Sequence, residues 1–252
     1  MTQSYIINHQ IKIDRVAPGG RIGLIALATD FNSEQELRRF FPCDVEIFTN
    51  RVLNANPLTI ENLRNMVSDI SRAAGAILPG LKLDAMIYGC TSGTVVNGAK
   101  KIEKLIQKSC PNVLVTNPLT AVLTALNALN IKRISILTPY IEEVNLAMLD
   151  SIKEHGLEVI NISGLNFDDD IDITGIPAQD IIQYAVQSMD DNAEALFISC
   201  TALRTSGVIS QIEKIINKPV ITSNQALAWH SLQLINHPYT TKGLGLLLEK
   251  KI

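Results

Sequence analysis

The sequence predicts an α/β protein built as two pseudosymmetric, doubly wound lobes with parallel sheets and a cleft between them. Three observations carry that expectation. Apolar runs of strand length alternate with amphipathic stretches from Ile22 to Ile235, the pattern of parallel sheets flanked by helices. An apolar run ending in cysteine occurs twice, at Asp84-Ala-Met-Ile-Tyr-Gly-Cys90-Thr-Ser-Gly-Thr94 and at Glu194-Ala-Leu-Phe-Ile-Ser-Cys200-Thr-Ala-Leu-Arg-Thr205. An upstream run also recurs, beginning at Arg21 and again at Arg133, and the two offsets are 110 and 112 residues.

Taken in order, Pro18-Gly19-Gly20 is a turn before the first strand, Ile22 to Ala28, whose unbroken apolar character suits burial on both faces. Ser33 to Phe41 is a helix with Glu34 and Glu36 in its first turn, where the helix dipole favours acids. Val45 to Thr49 is the second strand. Thr59 to Ala76 reads as one amphipathic helix with Leu63, Met66, Val67, Ile70 and Ala74 on a stripe. Ala85 to Gly89 is a strand, Thr94 to Lys108 a helix, and Val113 to Thr116 the fourth strand. The grammar then restarts. Helices are expected at 119–129, 142–155, 178–189, 206–216 and 224–235, and strands at 134–137, 159–162, 196–199 and 220–222. The acidic run from Phe167 to Asp172 reads as a loop. No Gly/Ser-rich linker separates the halves, so close packing is expected. Lobe one is assigned residues 1–117 with 225–252, and lobe two 118–224, the final helix crossing back to lobe one.

Composition narrows the function. At 252 residues and 46% hydrophobic, the chain suffices for a sizeable core. Net charge is −3 with scattered basic residues, which leaves no electrostatic footprint for nucleic acid. The apolar runs are too short to span a bilayer, and the N-terminus lacks the pattern of a secretory signal. Four cysteines without short spacing read as reduced thiols of a cytoplasmic protein, and the absence of CxxC or HxxxH argues against a metal.

The paired thiols carry the chemistry. In doubly wound sheets, ligands sit beyond the carboxyl ends of the strands, and Cys90 and Cys200 both lie there. Backbone N–H groups and hydroxyls of Thr91, Ser92, Gly93 and Thr94, and Thr201 in the other lobe, suit a carboxylate. A helix N-terminus is expected to lower each thiol from about 8.5 toward neutrality, making it a base or a nucleophile. A lone buried cysteine is ordinary packing; two at equivalent corners of a repeat, each followed by Thr, are not. Cys43 and Cys110 lack this context and read as structural. Asp30 reads equally as a cleft residue or a helix cap. Asn117, at the end of the fourth strand, and Tyr140, at the corner of lobe two, are further binding candidates. Arg204 suits a substrate carboxylate or a surface acid, while Asn145 and His230 read as ordinary helix residues. The run Asp168-Asp169-Asp170 reads first as a solvated loop.

Gly89-Cys90-Thr-Ser-Gly-Thr94, Thr138-Pro-Tyr140-Ile-Glu-Glu-Val-Asn145, Ser199-Cys200-Thr201 and Ser223-Asn-Gln-Ala-Leu-Ala-Trp229 together resemble the aspartate/glutamate racemase superfamily. Within it, the chain is most similar to the branch of maleate cis–trans isomerases, arylmalonate decarboxylases and the racemase-like proteins of ectoine utilisation. The resemblance covers roughly residues 20–235. It implies a buried site between two lobes, no cofactor, Cys90 and Cys200 as catalytic pair, and Tyr140 as a substrate donor. Two departures stand out. Ala28-Thr29-Asp30 replaces the Ser-Ser-Asn of maleate isomerases, and Asp170 replaces a second Asn. A carboxylate repels a substrate carboxylate where an amide would donate to it, so a substrate ammonium is expected. Decarboxylases of the branch use only the second-lobe thiol, so two thiols disfavour decarboxylation.

The expectation is therefore a cofactor-independent isomerase of a small carboxylate, a racemase or epimerase of an amino acid or derivative. Maleate-type cis–trans isomerisation by covalent thiol addition is the alternative, followed by arylmalonate-type decarboxylation and by a non-catalytic small-carboxylate binding protein. No nucleic-acid or membrane partner is expected, and a homo-oligomer is the default.

Overall fold

Strands β1 (Gly20–Leu27), β2 (Val45–Val52), β3 (Ala85–Tyr88) and β4 (Leu114–Thr116) belong to the first repeat. The second supplies β5 (Arg133–Tyr140), β6 (Glu158–Phe167), β7 (Ala195–Ile198) and β8 (Val220–Thr222). All pairings are parallel, in the orders β2-β1-β3-β4 and β6-β5-β7-β8. The computed structural model, which describes residues 3–7 and 10–250, thus carries one topology twice. Register repeats as well, Ile22 facing Ala85 in lobe one and Ile134 facing Ala195 in lobe two. Cys90 and Cys200 each follow the matching strand ends, Tyr88 and Ile198, by two residues.

The helices are α1 (Ser33–Phe40), α2 (Ile60–Asn65), α3 (Ile70–Gly75), α4 (Thr91–Asn97), α5 (Ala99–Gln107) and α6 (Pro118–Ala128) in the first half. They continue with α7 (Glu142–Glu154), α8 (Asp170–Gly175), α9 (Ala178–Ser188), α10 (Ile209–Ile216), α11 (Ser223–Leu234) and α12 (Leu246–Glu249). Every residue of β3 and β7 is buried, because helices cover both faces of a central parallel strand. Fully burying one such Ile or Leu stabilises by about 1.5–3 kcal/mol; Ile87→Ala or Ile136→Ala, each at a fully buried position, would cost about 2–5 kcal/mol. Helix α11 is buried almost throughout and packs against α6, α1 and strands β3, β4 and β8. Thr222 and Gln225 close its start as a capping box.

Three elements differ from expectation, two of them because a tertiary hydrogen bond intervenes and one because of a glycine. The 59–76 helix is broken by a 3₁₀ turn at Met66–Asp69. Asn97 Nδ2 donates to the Leu63 carbonyl (2.7 Å), which a continuous helix would offer to the Val67 N–H. The helix expected from Thr94 begins at Thr91, and Gly98 (φ +83°) divides it. The helix expected from Ser206 begins only at Ile209, because Ser206 is bound into the other lobe. In addition, β6 runs on to Phe167, and the acidic stretch continues into the short helix α8. Among the described residues no helix is long and apolar enough to cross a membrane.

Candidate active site

At the first corner the chain leaves β3 through Gly89, where a Cβ would lie 3.3 Å from the Ile25 carbonyl. Cys90 follows in extended conformation (φ −142°, ψ 118°) and caps α4 with its own sulfur, Sγ accepting the Gly93 N–H at 3.2 Å. The Ser92 hydroxyl stands 3.7 Å from the same sulfur. Gly93 is required by crowding: a Cβ there would sit 2.8 Å from the Tyr88 hydroxyl, 2.9 Å from Cys90 Sγ and 3.1 Å from Met66 Sδ.

The second corner is built differently. Cys200 has φ +107°, a region that a residue with a Cβ rarely adopts, and the chain stays irregular as far as Val208. The expected helix N-terminus at the second thiol is absent. Hydrogen bonds hold the loop instead. Cys200 N–H donates to Ser223 Oγ (3.1 Å), and the Thr201 carbonyl accepts from Asn32 Nδ2 (3.1 Å) and Asn224 Nδ2 (2.9 Å). The Thr201 hydroxyl donates across the lobes to the Gly89 carbonyl at 3.0 Å, so each thiol's backbone is tied to the other's.

Tyr140 closes one wall. It is 1% exposed, and its hydroxyl lies against Ser199 and Cys200 without completing a hydrogen bond among the described residues. Asn145 fixes the strand end that carries it, accepting from Thr138 Oγ1 (2.5 Å) and donating to the Tyr140 carbonyl (3.1 Å). Asp30 ties down the entry to α1. Its Oδ1 accepts the N–H groups of Asn32 (2.7 Å) and Ser33 (2.9 Å) at the start of α1, while Oδ2 is buried with no partner among the described residues. Asp170 is 4% exposed rather than solvated, and its Oδ2 accepts from the Thr29 hydroxyl and from Asn54 Nδ2 (3.2 Å). Asp169 accepts from Asn56 Nδ2 (2.8 Å) and the Asp168 carbonyl from Leu58 N–H (2.7 Å). The acidic run thereby straps lobe two to the 54–58 loop of lobe one.

Burial dominates the electrostatics and corrects the expected low thiol pKa. Desolvation pushes Cys90 up to about 12 despite the Gly93 N–H and Ser92 hydroxyl, with Asp170 and Asp30 adding to the rise. Cys200 is raised further, first by burial and then by the Asp170 carboxylate, against the pull of Tyr140 and the Ala202 N–H. Asp170 is itself raised, by desolvation and by the neighbouring Asp30 charge. Burial and the nearby carboxylates thus both favour the protonated form of the two thiols.

Other expected binding residues serve the frame. The Thr91 hydroxyl donates to Ser223 Oγ (3.0 Å), and Thr94 Oγ1 donates to the Cys90 carbonyl (2.6 Å). Asn117 caps α6 by accepting the Thr120 N–H at 2.9 Å. Arg204 is exposed and donates to the Ile176 carbonyl (3.2 Å). His230 is buried, bonds Thr116 Oγ1 (2.8 Å), and is lowered by desolvation. Cys110 is half-buried, but Cys43 is exposed, so a packing role for it is corrected. Sequence reasoning missed Asn32, Asn54, Ser223, Asn224, Glu36 and Tyr88; of these, Tyr88 stood within the first repeated run and the Ser223-Asn224 pair within a noted motif. Among the described residues no His, Cys, Asp and Glu cluster is arranged to hold a metal ion.

Two parallel α/β lobes that close on a pair of buried thiols define the class. The sequence profile described as arylmalonate decarboxylase matches residues 52–248, and the chain belongs to that family. A maleate isomerase of Alcaligenes faecalis is 23% identical over 245 residues, covering 90% of this chain and 91% of that protein. A solved maleate isomerase of Pseudomonas putida superposes with a TM-score of 0.85 at 21% identity, covering 92% of this chain and 99% of the other. The maleate cis–trans isomerase of Nocardia farcinica, solved with a covalently bound succinylcysteine intermediate, gives 0.83 at 20% identity over 91% of this chain and 98% of that one. At such identities the structural likenesses establish the fold.

Proposed function

We propose that the protein is a cofactor-independent two-thiol isomerase of a small carboxylate bearing an ammonium group, racemising or epimerising it at the carbon between Cys90 and Cys200. The observation that carries this reading is a pair of carboxylates, Asp170 near enough to raise both thiols and Asp30 near enough to raise Cys90, with Asp30 Oδ2 buried and unpartnered among the described residues. Their charge opposes a second substrate carboxylate and favours a cation. Burial first, and the carboxylates second, hold the thiols protonated; an ammonium seated there counters that hold, so one thiol releases its proton to solvent as the substrate enters. That thiolate takes the α-proton from one face, and the opposite thiol gives its own proton to the other face. The thiolate and thiol exchange roles, and charge is conserved. N–H groups of Thr91 and Ser92 hold the carboxylate as negative charge develops on it.

Maleate-type isomerisation is the second reading, favoured by similarity to maleate isomerases along nine-tenths of the chain. There one thiolate adds to an alkene carbon, the C–C bond turns, and elimination restores the thiolate. Proton NMR in heavy water separates the two. Loss of an α-proton signal from an amino acid, abolished in both Cys90→Ser and Cys200→Ser, is the expected result. Conversion of maleate to fumarate without α-exchange of any amino acid would replace the first reading by the second.

A further inference from the structure

We propose that Glu36 is a positioning residue for the second thiol, fixing the Cys200 loop in a conformation that the thiol would otherwise leave; its consequence for turnover rests on the two-thiol reading above. Seven other non-glycine residues with positive φ, among those described, lie between +45° and +64°, the left-handed helical well. Cys200 stands apart at +107°. Its surroundings must therefore hold it there. Asn32 Nδ2 reaches from lobe one to the carbonyls of Thr201 (3.1 Å) and Leu203 (3.0 Å). Glu36, 3% exposed, secures the far end of the loop. Its carboxylate accepts the N–H (2.9 Å) and hydroxyl (3.2 Å) of Thr205, and the N–H (2.8 Å) and hydroxyl (2.5 Å) of Ser206. Arg39 donates to the same Ser206 hydroxyl at 3.0 Å.

A buried carboxylate holding four donors without a direct ion pair among the described residues makes a stiff anchor, because any displacement leaves charge desolvated and unpaired. The device is one-sided. Asn145 holds the same fourth position of α7 that Glu36 holds in α1, but it turns back to Thr138 and Tyr140 in its own lobe. Cys90, with ordinary extended φ, has no comparable strain to be held.

A stability cycle by denaturant titration tests this, using the unaltered protein, E36Q, C200G and the double variant. Gln presents an amide N–H₂ to donors already aimed at the site. If Glu36 holds Cys200, its loss lets that backbone relax and returns part of the cost, whereas a glycine in that place has nothing to relax. E36Q is expected to raise the unfolding constant about 5-fold more in the C200G background than in the unaltered one. The matching cycle with C90G is expected to show no such difference. Equal E36Q effects in the unaltered and C200G backgrounds overturn the proposal. Should E36Q not fold, S206A removes one donor only and replaces it in the cycle with the same expected sign. As a second readout, α-hydrogen exchange from the two enantiomers is followed separately. E36Q is expected to slow exchange on the Cys200 face about 10-fold more than on the Cys90 face, since small misplacement of one reacting group suffices. Equal slowing counts against the proposal. Absence of exchange in the unaltered protein defeats the isomerase reading instead, and the stability cycle still decides on Glu36.

Discussion

Asp30→Asn changes charge and almost nothing else. Asp30 Oδ1 already accepts the Asn32 and Ser33 N–H groups at 2.7 and 2.9 Å, a role that the amide oxygen of Asn keeps. Oδ2 is buried and without a partner among the described residues, and in the variant an uncharged N–H₂ takes its place. A hydrogen bond between a carboxylate and a substrate ammonium contributes about 1.5–3 kcal/mol, and two unit charges at ~4 Å with an effective dielectric of ~20 set an upper figure near 4 kcal/mol. The expected loss in kcat/KM toward the amino substrate is therefore about 10- to 150-fold. The same change removes a charge that raises Cys90, so turnover of a substrate without an ammonium should rise. Initial rates of α-hydrogen exchange in heavy water, beside maleate consumption, measure both. Unchanged kcat/KM toward the amino substrate in a normally folded variant would refute the assignment of Asp30 to the ammonium.

The backbone at the two thiols predicts opposite responses to glycine. Cys200→Gly should be about 1 kcal/mol more stable than Cys200→Ala because φ is +107° there, whereas Cys90→Gly should be about 0.5–1 kcal/mol less stable than Cys90→Ala at φ −142°, both read by chemical denaturation. Alkali should weaken the fold through the thiols. Their folded pKa values are raised, so the unfolded chain loses protons first, and stability falls as pH rises from the unfolded pKa toward about 12 for Cys90. Between pH 9 and 10 the Cys90→Ser/Cys200→Ser variant should lose about 2 kcal/mol less than the unaltered protein in denaturant titrations. Gly93→Ala places a methyl 2.9 Å from Cys90 Sγ and 2.8 Å from the Tyr88 hydroxyl; a stability loss of about 1–3 kcal/mol and at least a ~10-fold fall in turnover are expected, and wild-type turnover would show that the sulfur need not stay where α4 holds it.

The repeat itself was legible because strand burial is written locally. Runs such as Ala85–Tyr88 and Ala195–Ile198 are apolar on both faces and end at the same point relative to a cysteine. What escaped was decided by partners far along the chain. The break after Asn65 depends on Asn97, and the irregular path from Cys200 to Val208 depends on Asn32 and Glu36. Glu36 reads as an ordinary first-turn acid, since local sequence says nothing of a loop 169 and 170 residues away. Asp170 read as solvated because its strap partners, Thr29 and Asn54, lie in the other lobe. Thiol ionisation was misjudged for a related reason. A helix N-terminus is visible in a sequence, while desolvation of Cys90 to 3% exposure follows only from closure of both lobes.

The reach of Glu36 from one repeat into the loop of the other also bears on ancestry. Two halves of one strand order suit the duplication of a shorter gene, whose product would have paired with its own copy. At this contact the exchange is not mutual: one half supplies the anchor, and the other supplies the loop that needs it. A fragment carrying Glu36 would leave its carboxylate without these four donors, and a fragment carrying Cys200 would lose the hold on its backbone. The fusion thus works as a ratchet, since separating the halves costs both sides of that contact.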